Sequence, residues 1–253
     1  MNRNLKSLIG FTLKETNGEI GKVDEFYFDD NSWTIRYLIV KTGSWLFGRK
    51  VLISPQAVQT PDWANEVFPV NLTKEQIKNS PDIDTEKPVS KQQEDQLYEY
   101  YPWGRDPYEH GAGIFGTMPG ELYNKEVPLE TTPVTEKTSD KEHNDQHLRS
   151  TDKVTGYSIM ATDGDIGKVN DYIFDDATWK IKFFIVDAGS WLNSKKVLLS
   201  TQMIKEVNWD ESTVVVNTSM EAVKNSPPFD NSSSKYDEEE QKQYDYYNPS
   251  HKE

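Results

Sequence analysis

"WTIRYLIVKTGSWLFGRKVLIS" (Trp33–Ser54) decides the fold, because the chain contains it twice. It returns as "WKIKFFIVDAGSWLNSKKVLLS" (Trp179–Ser200), at an offset of 146 residues (179 minus 33). In the first copy Trp33, Ile35, Tyr37 and Ile39 recur with period two, which predicts one face of a β-strand. The second copy keeps that face as Trp179, Ile181, Phe183 and Ile185. Leu38 and Val40 are apolar on the opposite face, so the end of this strand is expected to be covered on both sides. Gly43-Ser44 turns the chain, and "KVLIS" returns as a second strand. Between them stands Trp45-Leu46, matched by Trp191-Leu192, a large apolar pair in a β-β loop.

Outward from this stretch the likeness continues without a gap. Leu8–Pro81 aligns with Val154–Pro227, with about 30 of the 74 pairs identical. "IGFTLKE" alternates and ends in "TNGE", a hairpin turn signal matched by "ATDGD". "EIGKVDEFYFDD" follows, then the turn "DDNSW" or "DDATW". "QAVQTPDW" and "EVFPVNL" read as shorter strands around a turn. About six short strands in about 65 residues predict a small antiparallel barrel or sandwich. Gly21 and Gly167 interrupt the second strand at matching places, as at a bulge or sharp bend.

Each copy ends in helical signals. Thr73 with Gln76 forms a capping box before "KEQIKNSP"; Ser219 caps the second copy, with Ala222 in the box position. "PVSKQQEDQLYEYYPW" predicts another helix capped by Ser90, and its "YEYY" falls on "YDYY" (Tyr244–Tyr247) at the same offset. Residues 105–152 show no period and are read as an acidic flexible linker. Within it Ile114, Phe115 and Met118 suggest either docking on a barrel or a short recognition segment. The expected organisation is a first barrel over 1–82, its helical aromatic tail over 83–104, and the linker over 105–152. A second barrel over 153–229 and an acidic aromatic tail over 230–253 complete it.

The net charge of -14 argues against a nucleic-acid binder, which normally presents a basic surface. The excess lies outside the apolar units. Leu5–Pro81 carries 9 basic and 9 acidic residues, whereas Asp82–Asp152 carries 7 and 16. This pattern reads as solvation, not as an acidic binding face. The absence of cysteine excludes disulfides, thiolate metal sites and a cysteine nucleophile. No apolar run has the length of a signal peptide or membrane helix, so a cytoplasmic protein without a membrane span is expected.

"NGEIGKVDEFYFDDNSWTIRYLIVKTGSWLFGRKVLISPQAV" (17–58) resembles the PRC-barrel domain family. The likeness rests on Gly-x-Ile-Gly-Lys-Val, an acidic turn, Tyr-Leu-Ile-Val, Gly-x-Trp-Leu and Lys-Val-Leu-Ile, with counterparts in both copies. "NSPDID" and "YEYY" are similar to the tail of stress-related bacterial members. The resemblance implies an all-β protein of two antiparallel six-stranded barrels, each followed by short helices. It also implies a non-catalytic binding module. The same domain occurs in the photosynthetic reaction centre H subunit and in a ribosome maturation factor. Neither the membrane helix of the first nor the N-terminal domain of the second is read in these 253 residues, so neither specific role is expected to carry over.

No catalytic, cofactor or metal site is expected. His143 and His147 stand at i and i+4, a zinc-compatible spacing, but in acidic linker. Asp29-Asp30 and Asp175-Asp176 are paired carboxylates whose position favours turn formation over acid–base work. The candidate partner-binding residues are Trp45, Leu46, Trp191 and Leu192, with Tyr98, Tyr100, Tyr101, Tyr244, Tyr246 and Tyr247. Trp-Leu is either a plug over an open barrel end or an anchor for a partner. The tyrosines have three readings: docking on a barrel, binding another protein, or stacking single-stranded nucleic acid. The leading expectation is an adaptor for an unknown protein partner, with stress physiology as its setting. An intramolecular barrel pair or a homodimer is compatible with it. The alternatives are an RNA- or ribosome-associated factor, for which Arg49-Lys50 and Lys195-Lys196 supply a small basic pair, and an H-subunit-like assembly role.

Overall fold

The computed structural model describes residues 1–83, 89, 91–101, 147–189, 192, 195–229 and 236–247. Copy one contains β1 (Asn2–Asn4), β2 (Thr12–Glu15), β3 (Gly18–Asp29), β4 (Thr34–Thr42), β5 (Lys50–Ile53) and β6 (Val67–Pro69). Helices α1 (Lys74–Lys78) and α2 (Lys91–Tyr100) follow. Copy two contains β7 (Leu148–Ser150), α3 (Thr151–Val154), β8 (Ser158–Ala161), β9 (Gly164–Asp175), β10 (Lys180–Asp187) and β11 (Lys196–Ser200). It ends with β12 (Ile204–Asn208), β13 (Thr213–Val216), α4 (Met220–Asn225) and α5 (Tyr236–Tyr247).

β3 and β4 form the hairpin on which copy one is built, with Tyr27 opposite Tyr37 and Phe26 opposite Leu38. β5 continues from β4, and β2 pairs with the first part of β3. Burial follows the pattern expected of a strand covered on both sides, because Ile35 through Val40 are all buried, Arg36 included. At Gly21 the reason for glycine is distance. A Cβ there would lie 2.3 Å from the Lys41 carbonyl oxygen, and one on Gly167 would lie 2.1 Å from that of Asp187. Register shifts between Leu13 and Lys14, and between Ile159 and Met160, place the bulge beside each glycine.

Several expectations need correction. The described strands form one 13-stranded sheet, with β12 at one end and β6 at the other, and this sheet is not closed. The pairing is not wholly antiparallel either, since β2–β6 and β8–β13 run parallel. "QAVQTPDW" gives no strand in copy one, only the bridges Val58–Val70 and Asp62–Val67. Trp33 and Trp179 do not open a strand face. They sit in the turns with φ of 58° and 57°, in the left-handed region.

The largest departure is the relation between the copies. β1, from the start of the chain, pairs with β9 of copy two, with Arg3 opposite Phe174. β7 pairs with β3 of copy one, with Arg149 opposite Phe28. The copies therefore exchange their first strands. Leu148–Ser150, expected to lie in the linker, are sheet residues; the linker from 105 to 146 lies outside the described residues. A seam completes the junction. The Ile35 amide donates to the Trp179 carbonyl (2.8 Å), and the Ile181 amide to the Trp33 carbonyl (2.7 Å). One hydrophobic core runs through both copies. Across the seam Trp33 packs edge-on to Phe184, with centroids 5.4 Å apart, and Trp179 packs at 6.2 Å from Phe68.

Candidate functional site

The Trp45 loop is built from the strand ends it joins. The Leu46 and Gly48 amides both donate to the Gly43 carbonyl, at 3.2 Å, closing a single tight turn. Inside it Trp45 is half-buried, and its Nε1 donates to the Ile20 carbonyl (2.7 Å). Lys74 Nζ lies 5.7 Å from the centre of its ring. Leu46 also packs against the core, and its counterpart Leu192 is buried. Trp191 lies outside the described residues. This geometry has the form of a plug. The next residue does not. Phe47 is 97% exposed and is held at φ 55°, ψ 25°. A bulky side chain rarely adopts that left-handed conformation, which costs an L-residue about 1–2 kcal/mol. Copy two carries Asn193 at this position, a residue type that tolerates the conformation.

The tyrosines fall in the tail helices, and the offset of the repeat persists in their contacts. The Tyr100 hydroxyl donates to the Gln76 carbonyl (2.7 Å), and the Tyr246 hydroxyl to that of Ala222 (2.8 Å), residues one repeat apart. Leu97 and Tyr101 are buried beneath α2. Tyr98 is half-buried and accepts from Arg36, while Tyr37 donates to Glu94 (3.2 Å). Burial works to lower the Arg36 pKa, but Tyr98 and Glu94 outweigh it and hold the guanidinium charged. Burial also raises the hydroxyl of Tyr247 to about 12. Tyr244 remains about half exposed. Among the readings offered by the sequence, these contacts have the form of helices docked on the sheets.

The paired aspartates divide their work. Asp29 Oδ1 accepts from the amides of Asn31 (3.0 Å) and Ser32 (2.7 Å), and Asp175 Oδ1 from those of Ala177 (2.8 Å) and Thr178 (3.2 Å). Burial opposes ionisation of Asp175, yet those amides and the nearby N-terminus and Lys182 hold its pKa below the usual range. The second aspartate of each pair holds the exchanged strand. Asp30 meets Arg149 at 2.8 Å, and Asp176 meets Arg3 at 2.6 Å. Each arginine also lies over a tryptophan of its own copy, Arg3 at 3.5 Å from the Trp63 ring and Arg149 at 4.0 Å from that of Trp209. His147 lies 3.4 Å from Asp30 in this clamp, and His143 is outside the described residues. Arg3 and Arg149 are missed by an alignment starting at Leu8. Their identity at the same offset, five residues further upstream, is the available signal.

Between the two exchange sites lies a cleft of about 380 Å³, lined by the equivalent pairs Lys6 and Asp152, Glu25 and Asp171, Phe26 and Tyr172. Burial raises the Glu25 carboxyl above its ordinary pKa, against a hydrogen bond from Ser150 and the charge of Lys50. Burial raises Asp171 too, against hydrogen bonds from the Tyr172 amide, Asn4 and the Lys6 amide. Among the described residues, no group of three or more His, Asp or Glu side chains has metal-binding geometry. No helix among them is long and apolar enough to cross a membrane.

A twice-written β-rich unit with docked tail helices defines a repeat protein whose halves share one sheet. The family model described as PRC-barrel domain matches residues 3–76 and again 149–223, and the chain belongs to that family. Both matches begin inside or beside the exchanged strands, so the family unit includes the segment given to the other copy. No curated protein matches the chain.

Proposed function

We propose that the protein is a non-enzymatic adaptor that docks on a protein partner through the copy-one loop, with Phe47 as the inserted side chain. The exposure of Phe47 carries this reading. A strained, fully exposed aromatic at a loop tip lowers the stability of the free protein, and aromatic anchors dominate many interfaces. Trp45 and Leu46 are the base that holds the tip, not the contact itself. The adaptor reading is supported by the aspartates as well. Asp29 and Asp175 organise turns, and Asp30 and Asp176 bind arginines, leaving neither pair arranged around a substrate. The small basic pairs are also engaged: Arg49 donates to the Ser80 and Pro81 carbonyls, and Lys195 to the Ser226 carbonyl.

The test is Phe47→Asn, which installs the copy-two residue. Photo-crosslinking from position 47 in cells is expected to give a discrete adduct, and pull-down of that species should fall at least tenfold with Phe47→Asn. Undiminished capture by a variant of unchanged or higher stability would sink the proposal.

A further inference from the structure

The two tail helices occupy equivalent places, but α5 fits less well than α2. Leu97 of α2 is 1% exposed, and its equivalent in α5 is Gln243, also 1% exposed. Gln243 Nε2 donates to the Pro227 carbonyl (3.0 Å), while its Oε1 finds no donor among the described residues. The same holds for Glu239 Oε2 and Asn2 Oδ1, whose residues are 5% and 2% exposed. Asn2 lies against α5, with its amide donating to Asp237 (2.8 Å) and its side chain to Glu240; copy two has the apolar Leu148 at the position of Asn2. Among the described residues, three acceptor oxygens at this one helix are thus buried without a donor. A buried acceptor without a donor costs about 1–3 kcal/mol, which works against the docking of α5.

The surface beside α5 is a separate apolar cluster of Ile173, Phe183, Ile185, Leu198 and Phe229, with Tyr236 packed on it. Phe183 replaces Tyr37, so the hydroxyl contact to the helix made in copy one is lost. The cation of the groove is retained. Lys182, the equivalent of Arg36, holds Glu240 at 3.0 Å, as Arg36 faces Glu94 at 3.9 Å.

We propose that α5 is a displaceable cover over a helix-binding groove on copy two, and that the groove accepts in trans an amphipathic helix of the α2 type. Such a helix carries a carboxylate at the position of Glu240, to meet Lys182, and an aliphatic side chain three residues later, where α5 buries Gln243. Copy one supplies the pattern, since α2 places Glu94 and Leu97 at that spacing. This inference is independent of the Phe47 loop, which lies in the other copy.

The probe is a fluorescein-labelled peptide of residues 90–101, SKQQEDQLYEYY, titrated against the full chain and followed by anisotropy. Saturable binding is expected. It should weaken at least tenfold when the peptide carries Leu97→Gln, and equally when the protein carries Gln243→Leu, which fastens the cover. Hydrogen exchange should be faster in α5 than in α2, and should slow in α5 with Gln243→Leu. Failure of the peptide to bind would overturn the proposal. So would binding unaffected by Gln243→Leu, or exchange in α5 as slow as in α2.

Discussion

At Gly21 the fold depends on one missing methyl group. The atom a Cβ would strike is backbone, the Lys41 carbonyl oxygen of the neighbouring strand, so no rotamer change relieves it. Gly21→Ala is expected to destabilise the protein by about 3 kcal/mol or more, read from urea unfolding. A loss below 1 kcal/mol would show that the strands separate more easily than this geometry implies. Glu25 gives a pH-dependent counterpart. Its folded pKa lies above the ordinary 4.5, because burial outweighs its hydrogen bond to Ser150 and its ion pair with Lys50. The folded state then binds more protons than the unfolded state between those two values. Stability falls as pH rises through that window, and the carboxylate is a net burden above it. Gln in its place retains an acceptor for Ser150. Glu25→Gln should therefore gain stability relative to wild type as pH rises from 4.5 through the raised folded value. Parallel pH–stability curves for the two proteins would contradict the assignment. Much of this scale was legible in the sequence. The glycines interrupt a strand at matching positions, and Asp29 and Asp175 cap turns that end in a Trp, whereas the arginine contacts of Asp30 and Asp176 left no local signal. The handedness of Trp33 and Phe47 was not legible, because a side chain in the left-handed region leaves no composition signal.

At the scale of elements, the exchanged strands are the feature that pattern reading missed. "MNRNL" and "HLRST" are short and polar, and three-residue strands carry too few alternations to show a period. Their stability comes from position: backbone pairing to a long strand of the other copy, and an arginine clamped between an aspartate and a tryptophan. Removal of residues 1–4 should therefore weaken copy two more than copy one. Amide exchange is expected to rise in Ile173–Asp175, the partners of β1, with a smaller change in Tyr27–Asp29. A rise confined to copy one would refute the exchange. The helices were better signalled. The Thr73–Gln76 capping box is present with both hydrogen bonds, and Ser219 caps α4 by accepting from the Ala222 amide (3.1 Å). The register of "YEYY" on "YDYY" carries through to matching hydroxyl contacts.

Over the whole molecule, the repeat was visible and its consequence was not. Two copies at a fixed offset suggest two bodies, and nothing in one copy's composition shows that its sheet needs a strand from the other. The core residues at the seam are those any small barrel would bury, so burial pattern alone does not tell a neighbour from a self-contact. The structure implies that the halves are complementary fragments. Expressed as separate chains, 1–101 and 147–253 should associate with one another in a one-to-one complex, measured by light scattering. Either half recovered alone as a stable folded monomer would count against this.

The exchange also sets a timetable for synthesis. A ribosome delivers the chain from its N-terminus, at roughly 5–20 residues per second. Copy one's own strands are complete by Pro69, but β3 waits for β7 at Leu148–Ser150, and β1 waits longer still for β9. The nascent chain therefore passes through an interval of about 4–16 seconds, on that rate, with copy one emerged and the edge of β3 unpaired. Exposed edges of that kind attract other strands. The stretch made during this interval, residues 82–152, carries 16 acidic and 7 basic residues, and a nascent chain of that net charge repels its like.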